Sequence, residues 1–402
     1  MQLITALIVG AVYIAIAVGH VPRLRMNRAT IALAGAALLV AIGAIHEEDA
    51  YAALDMGTIL LLGAMMVVNV NLRLAGFFRF VGSRTLRLAR GPRLLLALVI
   101  ASSGLLSAVF LNDPVCLMLT PLVVDLVRRL DRNPVPYLVG LAAAANIGST
   151  ATITGNPQNM IIGRASAIPY LTFLAYLGPV ALVGLVICWG VIVLAYPGEF
   201  GGRLAEVALP PPRTFTPLLS RTLLVVLGLM IAFLAGVPVV TAACVAAALL
   251  LVSRLNPAKL LDLDWDLLAF FAGLFVITGA LTTTGLSASL FESASPILQG
   301  GIPLFSLLVA VLSNLVSNVP AVLLLRPEIP AFANPQQTWL ALAMASTLAG
   351  NFTLLGSAAT LIVAEVARAH GARLEFTAYL RAGIPITILT LAFGIVWLEI
   401  VF

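Results

Sequence analysis

Residues 93–132 read RLLLALVIASSGLLSAVFLNDPVCLMLTPLVVDLVRRLDR. Within them, 94–127 is an apolar run of about 34 residues, too long for one untilted helix across a bilayer core, which takes about 20. Arginine brackets the run, with Arg93 before it and Arg128, Arg129 and Arg132 after it. Arginine gathers in cytoplasmic loops, so both ends belong on one side and the chain has to turn back. The turn is written at the midpoint, Phe110-Leu111-Asn112-Asp113-Pro114, where proline has no N–H to donate and Asn and Asp favour turns. The expectation is a re-entrant helical hairpin over 94–127 with its tip inside the protein.

The whole chain supports a membrane setting. Its 402 residues are 61% apolar and only 10% charged, with a mean hydropathy of +1.10. Soluble domains carry about 25% charged residues, so this chain cannot clothe a water-facing surface. Apolar runs of helix-spanning length recur, and the alternation of a barrel strand does not, which gives an all-α polytopic membrane protein. The net charge of +5 is almost all arginine, with Lys259 the sole lysine, and it lies in short loops where it reports orientation rather than a nucleic-acid partner. Cys116, Cys188 and Cys244 sit in apolar segments with neither metal spacing nor a disulfide framework, and His20, His46 and His370 fall at membrane edges or loops. An intramembrane hydrolase would need a Ser-His pair, a paired Asp or HExxH, and none is present, so an enzyme is not expected. No cofactor is expected beyond a coupling ion, H+ or Na+.

Apolar segments fall at about 2–19, 29–45, 57–78, 94–127, 137–162 and 170–196, and again at 222–236, 238–253, 267–284, 302–325, 337–363 and 378–400. Between the two sets lies a polar, Pro-rich stretch, 197–221, read as a cytoplasmic linker separating a first repeat, 1–196, from a second, 222–402. Arg23, Arg25 and Arg28 place the first loop inside, and His46-Glu47-Glu48-Asp49 lies outside. The arginines from Arg79 to Arg93, interleaved with apolar residues, return inside on an interfacial amphipathic helix. Alternation then makes 302–325 a second hairpin, entering from outside with Ser317-Asn318-Val319-Pro320 at its turn, and leaves both termini extracytoplasmic. Each repeat therefore holds five transmembrane helices and one re-entrant hairpin, in opposite topologies. Internal echoes agree: LDMGTILLLGAMMVV resembles DWDLLAFFAGLFVIT, pairing Gly63 with Gly273, and AAAANIGSTATITGNPQNMI aligns without a gap on AMASTLAGNFTLLGSAATLI. Inverted repeats with broken helices are the architecture of secondary transporters, with the site at the repeat interface.

Unpaired backbone groups in hydrocarbon cost several kcal/mol each, so breaks at membrane depth persist where they line a cavity or bind a ligand. Four breaks are expected here: the two tips, and the Gly/Thr/Ser-rich interruptions of the fifth helices, 137–162 and 337–363. Half-helix N-termini suit an anion, and freed carbonyls and amide oxygens suit Na+. The candidate substrate and ion ligands are Asn112, Asp113, Ser317 and Asn318 at the tips, with a Na+ site expected near Asn112, Asp113 and Asn318. In the first broken helix they are Gly148, Ser149, Thr150, Thr152, Thr154, Gly155, Asn156 and Asn159, and in the second Asn351, Thr353, Gly356, Ser357 and Thr360. Asp113 leads, because an acid deep in an apolar run is costly. Cys116 reads as packing, Pro157 and Pro320 also read as simple kinks, and Glu365 reads as a helix-end charge.

The segments LNDPVCLMLTPLV, NIGSTATITGNPQNMIIG, SNVPAVLLL and GNFTLLGSAATLIVAE resemble the ion transporter superfamily with a citrate-transporter-like domain, across about residues 5–400. That group holds arsenite permeases, divalent-anion/sodium symporters and sodium/proton antiporters. The resemblance implies a scaffold domain and a moving transport domain, a homodimer, and elevator-like alternating access in a cell inner membrane. The tips read Leu-Asn-Asp and Ser-Asn-Val where dicarboxylate symporters carry Ser-Asn-Thr twice; Asn-Asp is closer to arsenite permeases and anion permeases. The expected function is secondary active transport of a small anion coupled to H+ or Na+, with arsenite/antimonite efflux or Na+/H+ antiport as alternatives.

Overall fold

Helix is the local solution for segments this apolar, since it pairs every interior N–H and C=O within the segment itself. The computed structural model describes residues 2–18, 26–202, 216–252, 257–260, 262–286, 289 and 300–402, and among these every regular element is helical. In the first part of the chain the helices are α1 (Gln2–Val18), α2 (Arg28–Ala41), α3 (Glu47–Ala53), α4 (Met56–Ala75), α5 (Phe77–Leu88), α6 (Pro92–Val109), α7 (Asn112–Arg129), α8 (Pro134–Ser149), α9 (Pro157–Ser166) and α10 (Tyr170–Ala195). In the second they are α11 (Thr216–Leu234), α12 (Val239–Leu251), α13 (Pro257–Leu260), α14 (Trp265–Thr283), α15 (Gly301–Val316), α16 (Asn318–Leu325), α17 (Pro335–Leu348), α18 (Ala358–Ala369) and α19 (Phe376–Val401). Six of them, α4, α6, α10, α11, α14 and α19, are long and apolar enough to cross a membrane. Exposed Leu3, Leu7, Leu182, Leu194, Leu224 and Ile400 form a surface suited to lipid. The residues 203–215 of the proposed linker, together with His20, Arg23, Arg25 and Arg254, lie outside the described residues.

All four expected interruptions are present as breaks in helix. Phe110 is extended and α7 starts two residues later at Asn112, with Pro114 in the first turn where its missing N–H has no helical acceptor. Between α15 and α16 the break is a single residue, Ser317, at φ 80° and ψ 158°. The fifth segments part between Ser149 and Pro157 and between Leu348 and Ala358, the latter through a short 3₁₀ turn over Ala349–Asn351.

Polar contacts sort the helix ends into two ends of the molecule. At one, Asn27 Nδ2 donates to Asp266 Oδ2 (2.8 Å), Arg73 pairs with Asp262 (2.5 Å), Arg128 Nη1 donates to the His370 carbonyl (2.8 Å) and Arg132 Nη1 to that of Glu199 (3.0 Å). At the other, Thr283 Oγ1 donates to the Ala44 carbonyl (3.1 Å), and Asp55 lies between Arg164 (3.7 Å) and Arg326 (3.5 Å). These pairs join residues that the loop alternation assigns to a common side. The third segments start alike: Asp55 caps α4 at φ −80°, ψ 81°, and Asp264 caps α14 at φ −80°, ψ 80°. Those matching caps shift the alignment by one residue from the register that pairs Gly63 with Gly273.

Candidate functional site

The break after α8 is closed by its own polar side chains. Ser149 and Thr150 hydroxyls donate back to the Asn146 carbonyl (2.8 and 3.1 Å), which also accepts from the Thr150 N–H (3.2 Å). Asn156 caps α9 by accepting from the Asn159 N–H (2.8 Å). Asn159 Nδ2 then donates to the carbonyls of Ser149 (3.1 Å) and Thr152 (2.9 Å). Thr152 Oγ1 reaches the Ala108 carbonyl (2.5 Å) and Thr154 meets the Tyr170 hydroxyl (3.3 Å). The break before α18 follows the same plan: Ser357 caps the helix at the Thr360 N–H (3.2 Å), and Thr360 Oγ1 donates to the Leu354 carbonyl (2.9 Å). Glycine is required where backbones touch. A Cβ on Gly148 would lie 2.0 Å from the Gly104 carbonyl oxygen, one on Gly155 2.3 Å from that of Ser149, and one on Gly356 2.9 Å from that of Gly350.

The two broken helices are tied to each other and to the tips. Asn146 Nδ2 donates to Asn351 Oδ1 and to Ser357 Oγ, both at 2.9 Å. In the ungapped alignment of the fifth segments Asn146 pairs with Thr347, and Asn156 with Ser357. The counterpart contact is also made, Asn156 Nδ2 to Thr347 Oγ1 at 3.2 Å. The first tip joins through the Asn112 N–H to the Gly155 carbonyl (3.0 Å) and Asn112 Nδ2 to Asn146 Oδ1 (3.2 Å). At the second, Asn314 Nδ2 donates to the Ala349 carbonyl (3.0 Å), and a Cβ built on Gly350 would fall 3.3 Å from Asn318 Nδ2.

Against this cluster lies a cavity of about 1300 Å³, walled on the other side by α1, α2 and α14. The N-termini of four helices open onto it: α7 at Asn112 and Asp113, α9 at Pro157 and Gln158, α16 at Ser317 and Asn318, and α18 at Ser357 and Ala358. Each brings first-turn N–H groups and the positive end of a helix dipole. Asn112 Oδ1 and Asn318 Oδ1 are buried without a hydrogen-bond partner. The charged lining is Arg28 against Asp113, Asp264, Asp266 and Glu365.

Of the residues singled out from sequence, Asn112, Asp113, Ser317, Asn318 and Ser357 line this cavity. Gly148, Ser149, Thr150, Thr152, Thr154, Gly155, Asn156, Asn159, Asn351, Thr353, Gly356 and Thr360 do not. The bonds and close contacts above spend most of them on shaping the breaks, and Thr353 serves through its carbonyl, which accepts from the Gly356 N–H (3.0 Å). Glu365, read as a helix-end charge, is on the wall. Sequence reasoning passed over Asn146, the hub of the network, and Gln158, whose Nε2 donates to Thr347 Oγ1 (3.2 Å). An amide inside the run Ala142 to Ile147 was the available signal, since a buried amide needs partners. Arg28 and Asp264 gave no such signal, because each also reads as a loop charge at a helix start.

The fold is that of a known transporter type. The crystal structure of the YdaH transporter of Alcanivorax borkumensis superposes with a TM-score of 0.59 over 99% of this chain and 97% of that one, at 14% sequence identity. The silicon efflux transporter LSI3 of Oryza sativa subsp. japonica is 32% identical over 450 residues, covering 93% of each chain. A 46 kDa membrane protein of Mycobacterium leprae is 28% identical over 403 residues, covering 93% of this chain and 94% of its own. With residues 11–349 matching the citrate transporter family, CitMHS, the chain belongs to that family of multi-pass membrane transporters.

Proposed function

We propose that the protein is a secondary active transporter of a small oxyanion or its partly protonated acid across a cell inner membrane, coupled to H+ or Na+, with Asp113 as the coupling carboxylate. The observation that carries this is the meeting of four helix N-termini, two unpartnered amide oxygens and Asp113 on one cavity. N–H groups at helix starts bind oxygen lone pairs, while Asn112 Oδ1 and Asn318 Oδ1 accept from hydroxyl groups. A solute offering both oxygens and hydroxyls satisfies both sets. Four carboxylates on the lining repel a polycarboxylate such as citrate and leave room for a singly charged or neutral oxyacid.

A relative named for silicon efflux accords with this class, since silicon in neutral water is a hydroxylated, uncharged acid. The alternative of arsenite or antimonite efflux shares it. Sodium coupling draws on the same two amide oxygens, which would also ligate a hard cation.

In this reading the repeats are inverted and the hairpins enter from opposite faces. The exchanged contacts Asn146–Ser357 and Thr347–Asn156, and the sharing of one end by Arg93, Arg128 and Arg132 but of the other by Arg326 and Asp55, support it. Elevator-type movement, a homodimer and extracytoplasmic termini belong to the same proposal. The cavity mouth at Asn27, Arg28, Asp264 and Asp266 then faces the cytoplasm.

The test is counterflow by purified protein in proteoliposomes, with orthosilicic acid, arsenite, phosphate and citrate as solutes, with and without a pH or Na+ gradient. Saturable exchange of a small oxyacid that a gradient drives uphill is expected, with citrate excluded. Linear, unsaturable flux would make the protein a channel, and no flux of any small oxyacid would sink the reading.

A further inference from the structure

The side-chain amide of Gln158 is oriented by a chain of bonds that starts at the backbone. Asn159 Nδ2 donates to the carbonyls of Ser149 and Thr152, groups that only accept, so Asn159 Oδ1 is the atom turned to Thr347, whose hydroxyl donates to it (3.5 Å). Asn156 Oδ1 is held on the Asn159 N–H, which leaves Asn156 Nδ2 to donate to the same hydroxyl (3.2 Å). A threonine hydroxyl has one hydrogen and two lone pairs. Its hydrogen is committed to Asn159, so the third neighbour has to be a donor, and Gln158 Nε2 takes that place at 3.2 Å. The oxygen of the Gln158 amide is the atom left over.

Gln158 is 4% exposed and lines the large cavity, whereas Thr347 does not. The amide therefore turns Nε2 into the protein and Oε1 toward the cavity, where it meets no donor among the described residues. In the first turn of α9 Pro157 has no N–H, that of Asn159 is taken by Asn156 Oδ1 and that of Met160 by the Asn156 carbonyl (3.2 Å), so the N–H of Gln158 remains. One residue thus carries an unpaired acceptor and an unpaired donor where the helix start opens onto the cavity. A hydroxyl group, which both donates and accepts, satisfies the two. A bare cation would meet the positive end of the helix, and a fully deprotonated oxyanion would meet Oε1. In the ungapped alignment Gln158 pairs with Ala359, so the second break has no such side chain.

We propose that Gln158 selects solutes carrying a protonated hydroxyl, and that Thr347, outside the cavity, is the positioning residue that holds the Gln158 oxygen toward it. The proposal deepens the transport reading above and rests on it. With the Thr347 hydroxyl in place the amide is locked as an acceptor. Without it the amide is free to turn and offer Nε2, and the helix start becomes a pair of donors, which suits a deprotonated oxyanion.

Orthosilicic acid and sulfate test this, because both are tetrahedral and at neutral pH the first is all hydroxyl while the second has none. Wild-type counterflow of orthosilicic acid is expected to resist competition by sulfate. Thr347→Val keeps the side-chain volume and removes the hydroxyl; KM for orthosilicic acid should rise and sulfate should compete at about tenfold lower concentration, the worth of one hydrogen bond lost or gained. Thr347→Ser, smaller but still hydroxylated, should keep the wild-type preference, whereas a packing role makes serine the worse substitute. Gln158→Leu should weaken orthosilicic acid about tenfold with no gain for sulfate, and it carries the test where Thr347→Val does not fold. An unchanged preference in Thr347→Val, a loss in Thr347→Ser as large as in Thr347→Val, or wild-type affinity in Gln158→Leu overturns the proposal and leaves the transport reading standing. A wild type that exchanges no solute sinks that reading, and calorimetric binding of the two probes to the same purified variants then decides the proposal. A wild type that binds sulfate as tightly as orthosilicic acid, or binds neither, overturns it.

Discussion

The two hairpin tips do the same geometrical job with different chemistry. At the first, an extended Phe110 and Leu111 lead into Asn112-Asp113-Pro114, and the Asn112 N–H is fixed on the Gly155 carbonyl at 3.0 Å. At the second, Ser317 alone makes the break at φ 80°, and the residue in the place of the aspartate is Val319. Both tips present an asparagine whose Oδ1 is buried and unpartnered. In the proposed reading this is a division of labour: both tips offer an unpartnered amide oxygen, while the titratable carboxylate stands at one tip only. A symmetric pair of carboxylates at this depth would repel each other and be costly to desolvate together.

That comparison breaks most plainly at Asp113. Asp113→Asn should abolish gradient-driven accumulation while the protein folds and exchanges solute at equal gradients, and adding Val319→Asp should not restore coupling, because the second tip lacks the first tip's neighbours. Restored coupling, read as uphill uptake into proteoliposomes, would make the tips interchangeable.

Next in size is the break itself. Gly148 meets the Gly104 backbone, while its counterpart in the alignment, position 349, is already alanine. Gly148→Ala should destabilise by about 1–3 kcal/mol or more, as overpacking against backbone does, seen as a large fall in melting temperature. Little change would mean the two breaks are packed alike.

The exchanged contacts give a third test. Asn146→Ala leaves Asn112, Asn351 and Ser357 each short of a partner and should cost roughly 1–3 kcal/mol. Thr347→Ala, which disturbs the weaker 3.2 Å bonds of Asn156 and Gln158, should cost less in the same thermal measurement. Equal losses would remove the asymmetry between the two halves of the cluster.

The smallest effect is a gain. Ser317 holds a backbone conformation that suits glycine, a cost of order 1–3 kcal/mol for other residues, so Ser317→Gly should raise the melting temperature by recovering part of it. The lack of any rise would show that the serine side chain at the cavity offsets the strain.

The sequence was legible where chemistry is local. Arg93 and Arg128 to Arg132 around an overlong apolar run determined a turn at Asn112 to Pro114, whereas Asn156 and Ser357, read from sequence as ligands, cap α9 and α18. The membrane setting, the four breaks and the family likeness follow from such patterns, because a backbone in hydrocarbon has few ways to be satisfied. Which of those polar residues line the large cavity was decided only by tertiary structure. Thr152, Thr154 and Asn159 look as suitable as Asn318 in one dimension, yet they bond to nearby carbonyls and hydroxyls, and Asn318 keeps a free oxygen on the cavity. Gln158 and Asp264 reach the cavity only because α9 and α14 cross beside the first tip, a juxtaposition of residues far apart in the chain that no local spacing encodes.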